Sequence, residues 1–251
     1  VLQSMVEGEP RYLPTIIADK TTGQIVVQAV LAALFHRERT GEGQSVEVPM
    51  FESMVSFVMT EHLWGKTFDP PLGEAGYVRL MASHRRPYKT RDEKYLAVLP
   101  YWDNHWRNFC EIAGRPELAE DKRFIDMATR LKNINESYQV TGEIIASKDR
   151  DEWLALLGDT NVPMMVVNSL DELIDDPHLV ESGFWQTYEH PSEGTLRFSS
   201  PPFNFERTPA TIRALPPHLG EHSESVLREI GYDDSTLNAM LAAGELVAVS
   251  E

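Results

Sequence analysis

The segment from Gln24 to Arg37 constrains the fold more than any other part of the sequence, because it predicts a helix with apolar residues on every face. The apolar residues of this segment are Ile25, Val26, Val27, Ala29, Val30, Leu31, Ala33, Leu34 and Phe35. Basic residues at Arg37 and Arg39, followed by Gly41, are typical of the carboxyl end of a helix. A helix of this kind is normally covered on all sides, so we expect it to be a central element of the fold.

Signals for strands and for further helices alternate along the rest of the chain. Alternating or continuous apolar residues predict strands at 45–48, 88–90, 95–99 and 162–167. Helical spacing predicts helices near 50–64, 102–113, 129–146, 151–157, 222–230 and 235–243. A capping box formed by Ser169 and Glu172 predicts one more helix, which must end before Pro177. Together these signals predict an α/β fold.

Glycine and proline are concentrated between Gly65 and Gly76, a composition typical of a linker between packed units. We therefore predict three parts. Residues 1–70 are expected to belong to a large domain that contains the central helix, residues 71–180 to form a small α/β domain, and residues 181–251 to return to the large domain and pack on it. Because the chain opens on Val1 with no initiator methionine, we also expect further sequence before it.

The charge balance excludes several classes of partner. The 251 residues include 23 Lys and Arg against 39 Asp and Glu, a formal net charge of −16. Binding to nucleic acid or to an anionic membrane relies on clustered basic residues, so neither partner is expected. The longest apolar run, 25–35, is shorter than the roughly 20 residues that span a bilayer. A single cysteine, Cys110, allows no internal disulfide, which fits a reducing compartment and predicts a cytoplasmic protein.

Familiar catalytic and metal-binding motifs are missing from the sequence, which contains no GxSxG, HExxH, GxxxxGK[ST] or CxxC pattern. Residues 41–46 begin like a dinucleotide-binding fingerprint, but they lead from a helix to a strand, the reverse of the order that a phosphate-binding turn needs. His218 and His222 have metal-type spacing, yet Gly220 lies between them, and a helix entry at His222 is the better interpretation. We therefore predict no metal.

Asp19 is the strongest candidate for chemistry. It stands just ahead of the apolar helix, where amide N–H groups and the helix dipole favour a carboxylate. Thr21 and Gln24 form a capping box of their own, which would satisfy these amides and leave the Asp19 carboxylate free. Position alone leaves two interpretations open, a reactive carboxylate or an ordinary cap or turn bond.

A series of short motifs resembles the class III, or CaiB/BaiF-type, CoA-transferases. In chain order the motifs are Ala18-Asp19-Lys20-Thr21-Thr22-Gly23, Arg39-Thr40-Gly41-Glu42-Gly43-Gln44, Val46-Glu47-Val48, Pro87-Tyr88-Lys89-Thr90-Arg91-Asp92, Trp106, Asp121-Lys122-Arg123-Phe124, Glu152-Trp153, Val162-Pro163, Asp176-Pro177 and Leu219-Gly220-Glu221-His222-Ser223. Each motif is weak alone, but together they are specific and extend over nearly the whole chain.

The resemblance implies a mechanism and an architecture. It assigns Asp19 as the nucleophile that attacks an acyl-CoA thioester, through an acyl-aspartyl anhydride and an aspartyl-CoA thioester, with a carboxylic acid as acceptor. Backbone N–H groups at Thr21, Thr22 and Gly23 are expected to stabilise the oxyanion. The implied fold has a large nucleotide-fold-like lobe and a small α/β lobe in an interlocked homodimer, and much of the CoA surface would lie in an amino-terminal lobe before Val1.

Five arginines are candidates for binding the phosphates of coenzyme A or the acceptor carboxylate, because an acidic protein must concentrate positive charge where an anion binds. They are Arg37, Arg39, Arg79, Arg85 and Arg86. Surface solvation or structural pairing is the ordinary alternative for each of them.

Two alternative functions stay open. The superfamily includes α-methylacyl-CoA racemases, in which an aspartate at this place exchanges the α-proton of the substrate. Trp102 aligns near the glutamate that racemases use, and Lys20 follows Asp19 where they have glycines, so a transferase is favoured. The chain could also be a non-catalytic fragment or subunit without a CoA site of its own.

The segment 73–76 is a thin counterpart of the glycine-rich run that covers the active site in some members.

Overall fold

A computed structural model describes residues 3–6 and 9–247 of the chain. The chain divides into two compact units between Val167 and Asn168. The domain boundaries that the sequence predicts near residues 70 and 180 stay predictions. No helix in the described part of the chain is long and apolar enough to cross a membrane.

The first unit opens with an antiparallel pair of strands, followed by two helices. These elements are β1 (Gln3–Val6), β2 (Glu9–Tyr12), α1 (Ile17–Thr40) and α2 (Met50–His62). Helix α1 ends as predicted, because Gly41 adopts φ 78° and its N–H donates to the Arg37 carbonyl over 2.8 Å. Residues 45–48 are irregular, which corrects the predicted strand. Among the described residues no strand pairs with them, and a lone strand has no ladder to stabilise it.

The predicted burial of α1 is wrong for this chain. Helix α2 packs against α1, and Thr22 is the residue of α1 that the described part of the chain buries. Val27, Leu31 and Phe35 are each more than half exposed. The apolar pattern correctly predicted a helix, but burial also requires a covering layer on every face. The described residues supply such a layer on one side of α1.

The rest of the first unit is a small α/β structure, as predicted. Its antiparallel sheet has the order β3-β4-β5, with β3 (Tyr88–Lys89), β4 (Tyr95–Val98) and β5 (Met164–Val166). Its helices are α3 (Asp103–Ile112), α4 (Met127–Lys132), α5 (Ile134–Ile145) and α6 (Arg150–Leu157). The largest fully buried side chains of this core are Leu96, Trp106, Phe109, Phe124, Ile145, Trp153 and Leu157. The predicted helix near 129–146 is two helices, since Asn133 interrupts the regular backbone between them.

The second unit contains a hairpin between short helices. Its elements are α7 (Pro177–Glu181), β6 (Trp185–His190), β7 (Gly194–Ser199), α8 (Ser223–Glu229) and α9 (Asp234–Ala243), and the last two helices confirm the prediction. The capping box of Ser169 and Glu172 forms with reciprocal bonds of 2.7 and 3.2 Å, but it opens a run of turns. The helix starts instead at Pro177, where Asp176 accepts two backbone N–H bonds as N-cap.

Candidate active site

Asp19 is the third residue of α1 and lies in its first turn. The helix begins at Ile17, so the predicted start near Gln24 and the predicted capping box of Thr21 with Gln24 are wrong. A side-chain hydrogen bond instead links the first turn to a residue before the helix, because Lys20 Nζ donates to Thr15 Oγ1 over 2.9 Å. The Asp19 side chain is exposed and has no hydrogen bond or ion pair with another described residue. Its carboxylate is therefore accessible to a substrate.

The start of α1 also determines which amides can face an anion. The Lys20 N–H already donates to the Ile16 carbonyl over 3.1 Å, and the amides of Thr21, Thr22 and Gly23 lie inside the helix, where each donates to the carbonyl four residues earlier. The first-turn amides that precede this ladder belong to Ala18 and Asp19. The predicted donor role of the three interior amides therefore loses its physical basis, and Thr22 and Gly23 remain of interest for the helix face that they share with Asp19.

Asp19, Thr22 and Gly23 lie on one face of α1, because residues three and four apart are neighbours on a helix. Thr22 is 7% exposed, and its Oγ1 is buried with no hydrogen-bond partner among the described residues. A Cβ placed on Gly23 would meet no atom within 4 Å. A glycine in a helix interior costs roughly 0.5–1 kcal/mol relative to alanine, and here it leaves open space beside the carboxylate. The face combines an exposed carboxylate, a hydroxyl and open space.

Arg37 and Arg39 lie in the last turn of α1, far from Asp19. At a rise of about 1.5 Å per residue they stand about 27 to 30 Å along the helix from the carboxylate. Arg37 lines an open cavity of about 260 Å³, and the Arg39 guanidinium lies 5.5 Å from the ring centre of Phe35. These two arginines cannot bind the same small group as Asp19.

The other three candidate arginines lie near tyrosines of the small α/β structure. The Arg79 guanidinium is 4.1 Å from the ring centre of Tyr101 and 5.2 Å from that of Tyr77. Its Nε is buried and has no hydrogen-bond partner among the described residues. Arg86 lines a cavity of about 830 Å³, and Arg85 is exposed. The sequence therefore identified three basic residues that the fold brings to one region.

A closed loop connects α2 to this region. The Gly76 N–H donates to the His62 carbonyl over 2.8 Å, and the ring of Trp64 stacks on Tyr77 at 4.9 Å. Gly65 lies against Gly73 so closely that a Cβ on Gly65 would stand 2.5 Å from the Gly73 backbone. The loop thus ties Tyr77, and through it Arg79, to the end of α2.

The two histidines with metal-type spacing, His218 and His222, lie before α8 and at its N-cap. No group of three or more His, Cys, Asp or Glu residues within 3–6 and 9–247 is arranged to hold a metal ion. His222 is the N-cap residue of α8, which confirms the predicted helix entry. His218 Nε2 lies 2.6 Å from Ser192 Oγ at the turn between β6 and β7, so it links that turn to the segment before α8.

Sequence reasoning missed the hydroxyls of Tyr88 and Tyr138, both buried beside the arginines. One signal pointed to them. Gly142 lies in the interior of α5, and a Cβ there would stand 3.0 Å from Tyr88 Cδ1. A glycine inside an otherwise good helix indicates a close approach by another group, but the sequence alone does not say which group approaches.

Comparison with known proteins decides the family. The sequence model of CoA-transferase family III matches residues 2–223. The chain belongs to CoA-transferase family III. This confirms the resemblance drawn from the short motifs around Asp19 and along the rest of the sequence.

Curated relatives of this family III chain are CoA-transferases of several kinds. It is 28% identical over 227 residues to the "Probable fatty acyl-CoA transferase Rv3272" of Mycobacterium tuberculosis, which covers 86% of this chain and 57% of that protein. It is 29% identical over 257 residues to the formyl-CoA:oxalate CoA-transferase of Streptomyces coelicolor, covering 95% and 62%. It is 25% identical over 243 residues to the succinyl-CoA:glutarate CoA-transferase of Homo sapiens, covering 94% and 54%. The chain thus spans little more than half the length of these relatives.

Solved structures agree with the mixed helix and sheet fold of this family III chain. The crystal structure of Rv3272 from M. tuberculosis superposes with a TM-score of 0.70 at 27% identity, covering 86% of this chain and 57% of that one. A CAIB/BAIF family protein from Brucella suis superposes with a TM-score of 0.68 at 23% identity, covering 91% and 59%. The second match supports the fold alone.

Proposed function

We propose that this chain carries the covalent nucleophile, Asp19, of an acyl-CoA:carboxylic acid CoA-transferase. The Asp19 carboxylate attacks the thioester carbonyl, the C–S bond breaks, and CoA leaves as a thiolate from an acyl-aspartyl anhydride. The thiolate then attacks the aspartyl carbonyl, which releases the donor acid and leaves an aspartyl-CoA thioester. An acceptor carboxylate repeats the two steps in reverse order, so the thioester is conserved and Asp19 is regenerated.

The observation that carries the proposal is the face of α1 formed by Asp19, Thr22 and Gly23. An unpaired, exposed carboxylate is available as a nucleophile. The open space at Gly23 admits a thioester beside it, and the buried Thr22 hydroxyl lacks a partner among the described residues. In this proposal the Thr22 hydroxyl and the first-turn amides of Ala18 and Asp19 donate to the oxyanion, and the helix dipole favours the developing negative charge.

Assembly is part of the same proposal. The apolar face of α1 is exposed in this chain, and the relatives extend well beyond the matched region. We propose that a large lobe, including an amino-terminal part that binds most of coenzyme A, covers this face in an interlocked homodimer. An anhydride must be protected from water, and such a cover would exclude water from Asp19. The single cysteine, Cys110, is buried and free, in keeping with a cytoplasmic location.

Trapping the anhydride tests the proposal. The full-length protein is incubated with an acyl-CoA and then with hydroxylamine, and the modified peptide is identified by mass spectrometry. We expect a hydroxamate on Asp19, and we expect Asp19→Asn to lower the transfer rate about 10³-fold or more. Glu38→Ala, which removes an exposed carboxylate from the other end of α1, serves as the matched control and should leave the rate unchanged.

Two results would overturn the proposal. One is full transfer activity in Asp19→Asn. The other is incorporation of deuterium from heavy water at the α-carbon of a 2-methylacyl-CoA with no hydroxamate, because that pattern is expected of a racemase in which Asp19 moves a proton.

A further inference from the structure

A large cavity lies beside the small α/β structure, and we call it the Tyr88–Tyr138 cavity. It measures about 830 Å³, which is within the usual range for small-molecule sites. Tyr88 and Pro87 at the start of the hairpin, and Tyr138 and Gly142 on α5, are among the residues that line it. All of these residues belong to the first unit.

Two tyrosine hydroxyls of this cavity lack partners. Tyr88 is 4% exposed and Tyr138 is 5% exposed, and neither hydroxyl has a hydrogen-bond partner among the described residues. Burial raises the pKa of both, and the positive charges of Arg85 and Arg86 only partly oppose the rise at Tyr88. Both hydroxyls therefore stay protonated near neutral pH and keep a proton to donate. Buried polar groups normally form hydrogen bonds, so we expect each of these two hydroxyls to donate to an acceptor.

The charges around the cavity favour an anion as that acceptor. Lys89 pairs with Glu93 at 2.7 Å, whereas the cavity's Glu143 accepts from the neutral Gln139 amide over 3.1 Å and keeps its negative charge. Arg86 has no ion pair with another described residue, and neither has Arg85, whose charge acts on both tyrosines. The charges of Arg85 and Arg86 together exceed the single negative charge of Glu143, so this region keeps a positive charge that favours an anion.

The position of Tyr88 depends on Gly142. A Cβ at Gly142 would stand 3.0 Å from Tyr88 Cδ1 and 3.5 Å from its Cε1, closer than ordinary van der Waals contact at the first atom. Alanine is the better residue in a helix interior. A glycine at this point of α5 therefore lets the ring of Tyr88 lie against the helix with its hydroxyl next to Tyr138.

Several other residues that line the cavity are apolar or aromatic, among them Pro87, Tyr95, Ala146 and Val167. An inorganic anion would leave these walls in contact with water, whereas an organic acid would cover them and place its carboxylate at the donors. The phosphates of coenzyme A carry several negative charges, which the Glu143 carboxylate in the same lining would repel more strongly than the single charge of a small acid.

We propose that the Tyr88–Tyr138 cavity binds a small organic acid through its carboxylate, with hydrogen bonds from the two tyrosine hydroxyls and charge compensation from Arg85 and Arg86. The ligand class rests on this chain's own donors and apolar walls.

Direct binding tests the proposal separately from catalysis. Hexanoate is titrated into the full-length protein carrying Asp19→Ala and followed by ligand-observed NMR, so no covalent step is needed. We expect Tyr138→Phe and Arg86→Gln each to weaken hexanoate binding about 10-fold or more, since each removes a donor to a charged group. The matched controls Tyr232→Phe and Arg107→Gln, which change exposed residues outside the cavity, should leave the affinity unchanged.

The outcomes separate this proposal from the proposed function. Equal hexanoate binding in all variants, no binding at all, or displacement of hexanoate by coenzyme A or by inorganic phosphate at equal concentration would each overturn the acid site. Thermal melting of each variant shows whether it is folded, and Tyr138→Phe is conservative enough to supply the decisive result. Normal hexanoate binding combined with no hydroxamate on Asp19 would leave the acid site standing and remove the covalent mechanism.

Discussion

Helix α1 and the small α/β core both contain many apolar residues but differ greatly in burial. In the core, Leu157 is 1% exposed and packs among Trp153, Phe109 and their neighbours. In α1, Leu31 is 60% exposed although it lies in the most continuous apolar segment of the chain. The core is built from strands and helices that all lie within residues 88–166, so it closes on itself. In the part of the chain that the structure describes, α2 is the element that packs most closely on α1.

The difference shows that an apolar pattern indicates which surface of a helix is suited to pack against another layer of structure. Whether that surface is buried depends on whether the chain contains such a layer. Exposed apolar area of this extent is unusual on a free-standing surface and marks an interaction site. The catalytic candidate Asp19 lies at the start of this exposed helix, and the proposed acid site lies beside the self-contained core. Stability and assembly should therefore respond to different substitutions in the two regions.

Leu157→Ala should produce the largest loss of stability. Removing a fully buried leucine side chain leaves a cavity in a close-packed core, so we expect a loss of about 2–5 kcal/mol in the free energy of unfolding. Urea denaturation measures it, with the m-value showing whether the transition is otherwise unchanged. The adjacent Leu156 is 41% exposed, and Leu156→Ala should cost less than about 1 kcal/mol. Equal losses in the two variants would mean that the core is not packed as described.

Asp92→Asn should produce a smaller, pH-dependent effect at the edge of the core. The Thr90 hydroxyl donates to Asp92 over 2.6 Å, and with the Arg150 N–H and Lys94 it lowers the pKa of this carboxyl. A lowered folded-state pKa stabilises the fold above the unfolded value of about 3.9, and this contribution is lost as the pH falls from there toward the folded value.

Melting temperatures measured from pH 7 to pH 2 check this prediction. The melting temperature of the native protein should exceed that of Asp92→Asn at neutral pH. This difference should shrink below about pH 4, where the carboxyl of the unfolded chain is protonated. Glu120→Gln is the control, because Glu120 is exposed and has no ion pair with another described residue, and its melting curve should follow that of the native protein in this acid range. A difference between Asp92→Asn and the native protein that is the same at pH 7 and at pH 2 would contradict the role assigned to the Asp92 carboxylate.

The sequence predicted the small α/β structure well, because its signals are local. The hairpin of β3 and β4, the helix stop at Gly114 with φ 74°, and β5 all follow from residues within a few positions of each element. The start of α1 and the strand at 45–48 were wrong for opposite reasons. Asp19 to Gly23 resemble a polar corner although they are helical, and residues 45–48 have a strand pattern but no partner strand within the described chain.

The candidate site divides in the same way. Asp19 could be found from the sequence because its motif is contiguous. Its neighbours on the helix face, Thr22 and Gly23, lie three and four residues later and follow from helical geometry. Tyr88 and Tyr138 could not, since they are 50 positions apart and meet only when the hairpin packs on α5. Arginines can be listed from a sequence, but which of them are unpaired depends on the fold.

Leu31→Ala should have the smallest effect in this chain, and for that reason it tests the comparison most directly. The side chain is more than half exposed and alanine favours helix, so we expect a change within about 0.5 kcal/mol in urea denaturation. In the full-length protein, where we propose that a large lobe covers this face, the same substitution should cost about 2–5 kcal/mol, as Leu157→Ala does here. A large loss in this chain would show that α1 is already covered, and no loss in either form would remove the argument for a covering lobe.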